Sequence, residues 1–352
     1  VVHGLQPAPG DAVCRAEIVS RLQTHVDSVV PGGVLRLYGS SSCGLNASGA
    51  DIDLTIQHPA GAPSHEQQKT IVQELASILG CRSAWAQVEA ITLSRVPIVT
   101  LVDAASGLHA DISVGNTLAR LKTLLLASYA EVDPRARALC FVVKRWAHVR
   151  RLNDPKQQTP NSYMWAQLVV FYLQRVEPPV LPCLQALHGG EWTDAWPCDA
   201  ASLPSLELLQ LVDPDQPAQG DARAAALRAD FEAARAAAAA AHAPAAAVGL
   251  GQLLCGFFGF WLDYLDLQRT SSVVSVRHGR LMAINEKVWH LDEPDAERPL
   301  IGLEDPVEVT HNLGRVLTNR TLGIVRSEIQ QARDHLAAGQ PLSRLLVPPP
   351  DR

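Results

Sequence analysis

One stretch limits what this chain can fold into more than any other. An apolar, β-prone run, Val34-Leu35-Arg36-Leu37, ends in Gly39-Ser40-Ser41-Ser42 and is followed by Asp51-Ile52-Asp53. The run predicts a strand and the Gly-Ser pair a turn. The alternation Ile52-Asp53-Leu54-Thr55-Ile56 predicts a second strand with one apolar face. Side chains two apart on a strand share a face, so Asp51 and Asp53 are expected to point the same way. Parallel carboxylates repel unless a cation lies between them. A hard divalent ion, Mg²⁺ or Mn²⁺, takes a few carboxylates together with substrate phosphates. Gly39 and Ser40 add backbone N–H groups and a hydroxyl suited to those phosphates.

A third carboxylate is available in Leu108-His109-Ala110-Asp111-Ile112-Ser113-Val114, which alternates like a half-buried strand. Between the acidic strands, 64–79 predicts a helix, with Ser64 as N-cap, Gln67 closing a capping box and Gly80 past its end. Ile71, Leu75, Ile78 and Leu79 recur there at helical spacing. Residues 85–92 and 97–102 predict a hairpin leading to the Asp111 strand.

Beyond Asp111 the pattern turns helical. Asp133-Pro134 opens a segment running to about Arg151, where Lys144, His148 and Arg151 are spaced to share one face. Thr159-Pro160 supply a cap and first-turn proline for a helix opening at Ser162-Tyr163. The Ala-rich tract over about 222–248 predicts a helical insertion without chemistry. Residues 250–267 predict a core helix, its Phe257, Phe258, Phe260 and Trp261 being packing residues. Residues 272–277 predict a short strand or turn. Asp305-Pro306-Val307-Glu308 has the form of a helix start, with Asp305 capping, Pro306 in first position and Glu308 completing a capping box.

At 352 residues and 47% apolar, the chain has material for two domains with separate cores. No apolar run is long enough to span a bilayer. Seven scattered cysteines without a Cys-x-x-Cys pair argue for a reducing compartment and against structural zinc. A net charge of −6 argues against a broad phosphate-binding surface, so any nucleic-acid contact is expected to involve a few terminal nucleotides.

Taken in order, these pieces resemble the DNA-polymerase-β-like nucleotidyltransferases, and among them the cytoplasmic-type poly(A) polymerase and terminal uridylyltransferase family. The resemblance covers about 34–318 and is carried by Gly39-Ser40, Asp51/Asp53/Asp111, Val143-Lys144-Arg145-Trp146-Ala147, Leu152-Asn153-Asp154-Pro155, Ser162-Tyr163, Glu304-Asp305-Pro306 and His311-Asn312-Leu313-Gly314-Arg315. In compactness the chain looks most like the small uridylyltransferases of trypanosomatid mitochondria.

The resemblance implies an α+β, two-domain fold, with a nucleotidyltransferase sheet domain, a mostly helical poly(A)-polymerase-associated domain and a nucleotide cleft between them. The catalytic domain is expected over 31–122. Residues 1–30 and 123–352 are assigned to the helical domain, the leading helix packing there rather than on the sheet. The resemblance makes Asp51, Asp53 and Asp111 the metal-binding catalytic trio. Gly39, Ser40, Lys144 and His148 would hold phosphates, His148 standing where relatives often carry a second lysine. Ser162 would contact the nucleotide and Tyr163 would stack on its base. Lys122 replaces a ribose-binding asparagine of relatives, so either ribose recognition shifts to Thr123 and backbone or discrimination against deoxynucleotides is weaker.

Uracil offers N3–H as a donor where cytosine offers an acceptor, so the carboxylates Asp305 and Glu308 would favour uracil. The resemblance implies that they do so here and that His311 matches a histidine that crowds out adenine. The expected activity is Mg²⁺-dependent addition of UMP from UTP to RNA 3′ ends. ATP-dependent poly(A) addition and a non-catalytic RNA-binding subunit are the alternatives. Expected partners are UTP, an RNA 3′ end and proteins of an RNA-editing or RNA-processing complex, in a mitochondrial setting.

Overall fold

The computed structural model describes residues 9–47, 49–185, 248–267, 269, 271–287 and 299–348. The Ala-rich tract, but for residue 248, lies outside them. The described chain divides into two compact units, 9–127 and 128–348, called here the sheet unit and the helical unit.

In the sheet unit, α1 (Pro9–Val29) precedes β1 (Val34–Tyr38) and β2 (Ile52–Gln57). There follow α2 (His65–Gly80), β3 (Trp85–Ile91), β4 (Ile98–Asp103), β5 (His109–Val114) and α3 (Thr117–Val132), which runs on into the helical unit. The five strands form one mixed sheet in the order β1-β2-β5-β4-β3. β2 and β5 are parallel neighbours and the other pairs are antiparallel. The alternation read from the sequence decides the faces. Ile52, Leu54 and Ile56 of β2, Ala110, Ile112 and Val114 of β5, and Val99 and Leu101 of β4 are buried together in one core. Asp53 and Asp111, one residue out of phase, fall on the opposite face.

α2 starts as expected: Ser64 Oγ accepts from the Gln67 amide at 3.3 Å, and Gln67 Oε1 accepts from the Ser64 amide at 2.8 Å. Gly80 is the helix's last residue rather than lying past its end, and Val72 joins Leu75 and Leu79 on the buried side.

α1 corrects an expectation. Assigned by resemblance to the helical domain, it docks on the sheet instead. Ile18, Leu22 and Val26, each four residues from the next, lie in the same core as Leu35, Ile52 and Leu54. Gln23 adds two polar ties, donating to the Gly33 carbonyl and accepting from the Leu35 amide, both at 2.8 Å. These satisfy main-chain groups at the edge strand β1 that would otherwise face solvent. The sheet unit also extends past 122, to Ala127.

The helical unit holds α4 (Pro134–Val149), α5 (Ser162–Arg175), α6 (Leu250–Leu267) and α7 (Asn319–Ala337), with a three-stranded sheet of β6 (Ser272–Ser275), β7 (Arg280–Ala283) and β8 (Gly302–Leu303) in the order β7-β6-β8. Trp146 of α4 meets Trp165 of α5 edge-on at 5.4 Å and Phe258 of α6 at 4.8 Å, locking three helices through one ring. The aromatic stripe of α6 is core, with Phe257, Phe258 and Trp261 buried. Asp133 caps α4 by accepting from the Arg135 amide at 2.7 Å.

Three local expectations change. The cap of α5 is Asn161, whose Oδ1 accepts from the Met164 amide at 2.8 Å, because Thr159 is engaged with Asp154. Arg151 lies beyond the end of α4 with φ +58°, so it leaves the helix face that Lys144 and His148 share. No helix forms at Asp305-Pro306; the segment is a closed loop, described below.

Among the described residues, no helix is long and apolar enough to cross a membrane. None of the six described cysteines is in a disulfide.

Candidate active site

On the face of the sheet away from α1 and α2, ladder register builds a row of polar side chains across four strands. Tyr38 pairs with Asp53, Asp53 with Asp111, and Asp111 with Thr100. Residues paired in register project to the same face, so Asp53 and Asp111 stand side by side on the parallel pair β2/β5. Both are half-buried. Burial, then the charge of Asp53, pushes the Tyr38 hydroxyl up to about 12, with Asp111 adding a smaller push. Tyr38 therefore stays protonated beside the two acids.

Asp51 departs from the expected trio. It precedes the first residue of β2 and is exposed, so strand alternation does not hold it beside Asp53. Among the described residues no three His, Cys, Asp or Glu side chains gather closely enough to hold a metal by themselves. The register brings together a pair, with Asp51 at its open end.

Gly39 clears the space above that pair. It has φ +70°, and a Cβ built on it would overlap Oδ2 of Asp53 and lie 2.8 Å from the carboxyl carbon. Only glycine meets both conditions. Two in-register carboxylates under a turn kept bare of side chain fit an ion such as Mg²⁺, which takes its remaining oxygens from phosphates and water.

The Gly39 amide is not a phosphate donor, as had been expected. It donates to Thr123 Oγ1 at 2.8 Å, and Thr123 in turn donates to the Ala119 carbonyl at 2.7 Å. This also corrects the expected ribose contact at Thr123: the residue is buried, and its hydroxyl braces the turn. Ser40 is half-buried in the turn.

The remaining expected residues belong to the helical unit. Lys144 is half-buried and His148 exposed on α4. Ser162 opens α5 and its hydroxyl accepts from Asn153 Nδ2 at 2.9 Å. Tyr163 follows, half-buried, its hydroxyl donating to Asp305 Oδ1 at 3.4 Å. Burial first, then the charge of Asp305, holds the Tyr163 hydroxyl well above the usual phenol range, so it remains a donor.

Asp305 is fully buried, and its Oδ1 also accepts from the amides of Val307 at 3.0 Å and Glu308 at 3.1 Å. The loop closes through Asp305 N to the His311 carbonyl at 3.0 Å and His311 N to the Glu308 carbonyl at 2.8 Å. Asp305 thus caps a turn of a closed loop rather than the helix start expected of it, and steadies Tyr163. Glu308 and His311, both half-buried, remain as side chains at the loop surface.

Two groups escaped sequence reasoning. Tyr38 was visible as the last residue of the β1 run, but its place depends on register. Glu304 had been read only as part of a motif. It is fully buried, accepting from Lys287 Nζ and Ser275 Oγ, with His278 Nδ1 3.8 Å away, and it closes the loop by bridging to Asn312.

Two family descriptions match this chain in order: the central palm domain of mitochondrial-like poly(A) RNA polymerase over residues 1–131, and Cid1 family poly A polymerase over residues 249–311. Over these two stretches the chain matches RNA nucleotidyltransferases of the Cid1 type. Among curated relatives, human terminal uridylyltransferase 7 is 28% identical over 318 residues, covering 88% of this chain and 19% of its own length. Poly(A) RNA polymerase GLD2 of Danio rerio is 34% identical over 172 residues, or 49% of this chain and 34% of its own. The chain therefore spans a fifth to a third of these relatives. A solved cytoplasmic RNA terminal U-transferase shares the fold at TM-score 0.73 and 23% identity, covering 100% of this chain and 96% of that one. The palm match spans α1 to α3, in accord with the docking of α1 on the sheet.

Proposed function

We propose that this chain is an RNA uridylyltransferase that joins UMP from UTP to an RNA 3′ end and releases pyrophosphate. The observation carrying the reading is the in-register pair Asp53/Asp111 under the side-chain-free Gly39. Asp51, Asp53 and Asp111 would hold Mg²⁺ or Mn²⁺, which when bound supplies positive charge to the attacking 3′-hydroxyl and the departing pyrophosphate. Ser40 donates a hydrogen bond to the phosphates, and Lys144 balances charge that grows on the leaving group. Tyr163 offers a ring face to the base, kept in place by Asp305. Glu308 accepts from uracil N3–H, a bond cytosine cannot make, and His311 limits the room for a purine.

Structures of Cid1 with a UTP analogue and with the short product ApU support a nucleotide and an RNA end as the two substrates. The GLD2 relatives support a second reading, the same transfer with ATP as donor. One experiment separates the two: incorporation on a single RNA primer with Mg²⁺ and each of the four nucleotides in turn. UTP is expected to dominate, ATP dominance would transfer the proposal to adenylation, and no incorporation with any nucleotide would refute both.

A further inference from the structure

The docking of α1 on the sheet delivers one residue to the candidate site that no motif announces. Arg15 lies three residues before Ile18, on the face of α1 that carries Ile18, Leu22 and Val26 into the core. It is 5% exposed. Its guanidinium touches four groups in three segments. Nε donates to Asp11 Oδ2 at 3.2 Å and Nη1 to Ser41 Oγ at 3.0 Å. Nη1 also donates to the Asp51 carbonyl at 3.3 Å, and Nη2 to the Ala50 carbonyl at 2.5 Å. Ser41 belongs to the Gly-Ser turn. Ala50 and Asp51 carry the main chain into β2 immediately before Asp53.

Between Ser41 and Asp51 the chain is irregular, so no ladder fixes the distance from turn to acid. Ser41 Oγ reaches the Asp51 carbonyl at 3.3 Å, and the Arg15 fork clamps that contact by bonding both groups and the Ala50 carbonyl at once. Its planar geometry and several N–H groups match three oxygens on two backbone segments, and Asp11 fixes its orientation from the helix side. We propose that Arg15 is a positioning residue for nucleotidyl transfer: one buried guanidinium ties Ser41 of the phosphate turn to the main chain of Asp51, setting the only member of the acidic trio that strand register leaves unplaced. This rests on the reading of Asp51 as a metal ligand. A lysine at position 15 keeps the charge but carries its donors on a single nitrogen, so it cannot span the same acceptors.

The test compares wild type with Arg15→Lys and with Arg21→Gln, a control on the same helix. Arg21 bonds Asp103 at 2.5 Å and lies over the Trp85 ring, away from the turn. Three quantities are read: hydrogen exchange of amides over 39–53, the Mn²⁺ dissociation constant by titration calorimetry, and thermal melting. Arg15→Lys is expected to speed exchange within 39–53 and to weaken Mn²⁺ binding about 10–100-fold, the usual effect of removing an outer-shell partner of a metal site. Arg21→Gln is expected to lower the melting temperature without changing either.

Unchanged exchange over 39–53 in Arg15→Lys would overturn the proposal. So would a loss of Mn²⁺ affinity matched by Arg21→Gln at equal loss of melting temperature. Failure of the transfer reading looks different: wild type itself would incorporate no nucleotide and bind no Mn²⁺, in which case Arg15 would be left as a structural brace, visible in exchange alone, and the proposal would fall.

Discussion

The two units use acids in opposite ways. In the sheet unit, Asp53 and Asp111 stand in register on a half-open face beneath a turn kept bare by glycine. In the helical unit, Glu304 and Asp305 are fully buried; the Glu304 oxygens take hydrogen bonds from Lys287 and Ser275, and Asp305 Oδ1 takes them from two amides and the Tyr163 hydroxyl. A carboxylate surrounded by the protein's own donors holds structure, since removing it leaves those donors buried without a partner. One kept at a surface can exchange ligands. Motif reading gave Asp53, Asp111 and Asp305 functional weight and left Glu304 without a role; exposure and hydrogen bonding divide them.

The comparison breaks most visibly at Asp53. Asp53→Ala is expected to lower UMP incorporation by about 10³-fold or more, since metal-held charge is worth several kcal/mol in such reactions. Melting temperature should change little. A gel assay of primer extension beside a melting curve reads both, and a folded Asp53→Ala chain with full turnover would refute the assignment.

Glu304→Ala should do the reverse, removing the carboxylate shared by Lys287, Ser275 and His278. Breaking a buried ion pair from one side costs ~3–5 kcal/mol, so denaturant unfolding should show the loss directly. Burial by itself would raise the Glu304 pKa, but the nearby His278, with Lys287 and Ser275, outweighs it and holds the group below the usual carboxylate range. Its contribution is therefore present above the ordinary glutamate pKa and lost as pH falls through the lowered folded value. Acid unfolding should start at higher stability in wild type than in Glu304→Ala, and the two should converge at low pH.

Tyr38 sharpens the comparison from the sheet side. Its pKa rises from 10 to about 12, so the folded state keeps its proton longer than the unfolded chain. This contribution is fully present below pH 10 and lost between pH 10 and about 12, at most ~3 kcal/mol. Burial raises Tyr129, Tyr163, Tyr172 and Tyr264 as well, so alkaline titration followed at the tyrosinate absorbance should show several late-ionising tyrosines, one fewer in Tyr38→Phe. The smallest effect belongs to Tyr163→Phe. It removes one long hydrogen bond to Asp305, worth ~1 kcal/mol, and leaves the ring. A modest rise in KM for UTP with little change in kcat is expected from steady-state kinetics.

Much of the fold was legible because its signals are local. The capping box at Ser64 and Gln67, the alternation of 52–56 and 109–114, the Asp133-Pro134 start of α4 and the aromatic core stripe of α6 each appear as read. The errors share a cause. Whether α1 packs on the sheet, whether Thr123 meets ribose or a backbone amide, and whether Asp305 starts a helix or closes a loop all depend on partners distant in sequence. The chemistry of Thr123 is the same in either setting; its neighbour Gly39, 84 positions earlier, chooses.

Residue order alone determined that a glycine turn and alternating acids would lie on one sheet, since period two and turn chemistry are properties of neighbouring residues. Tertiary structure decided which acids meet. Parallel pairing of β2 with β5 set Asp53 against Asp111, left Asp51 to the reach of Arg15, and buried Glu304 and Asp305 among donors. Pairing and burial are relations between segments far apart along the chain, and no stretch of sequence contains them.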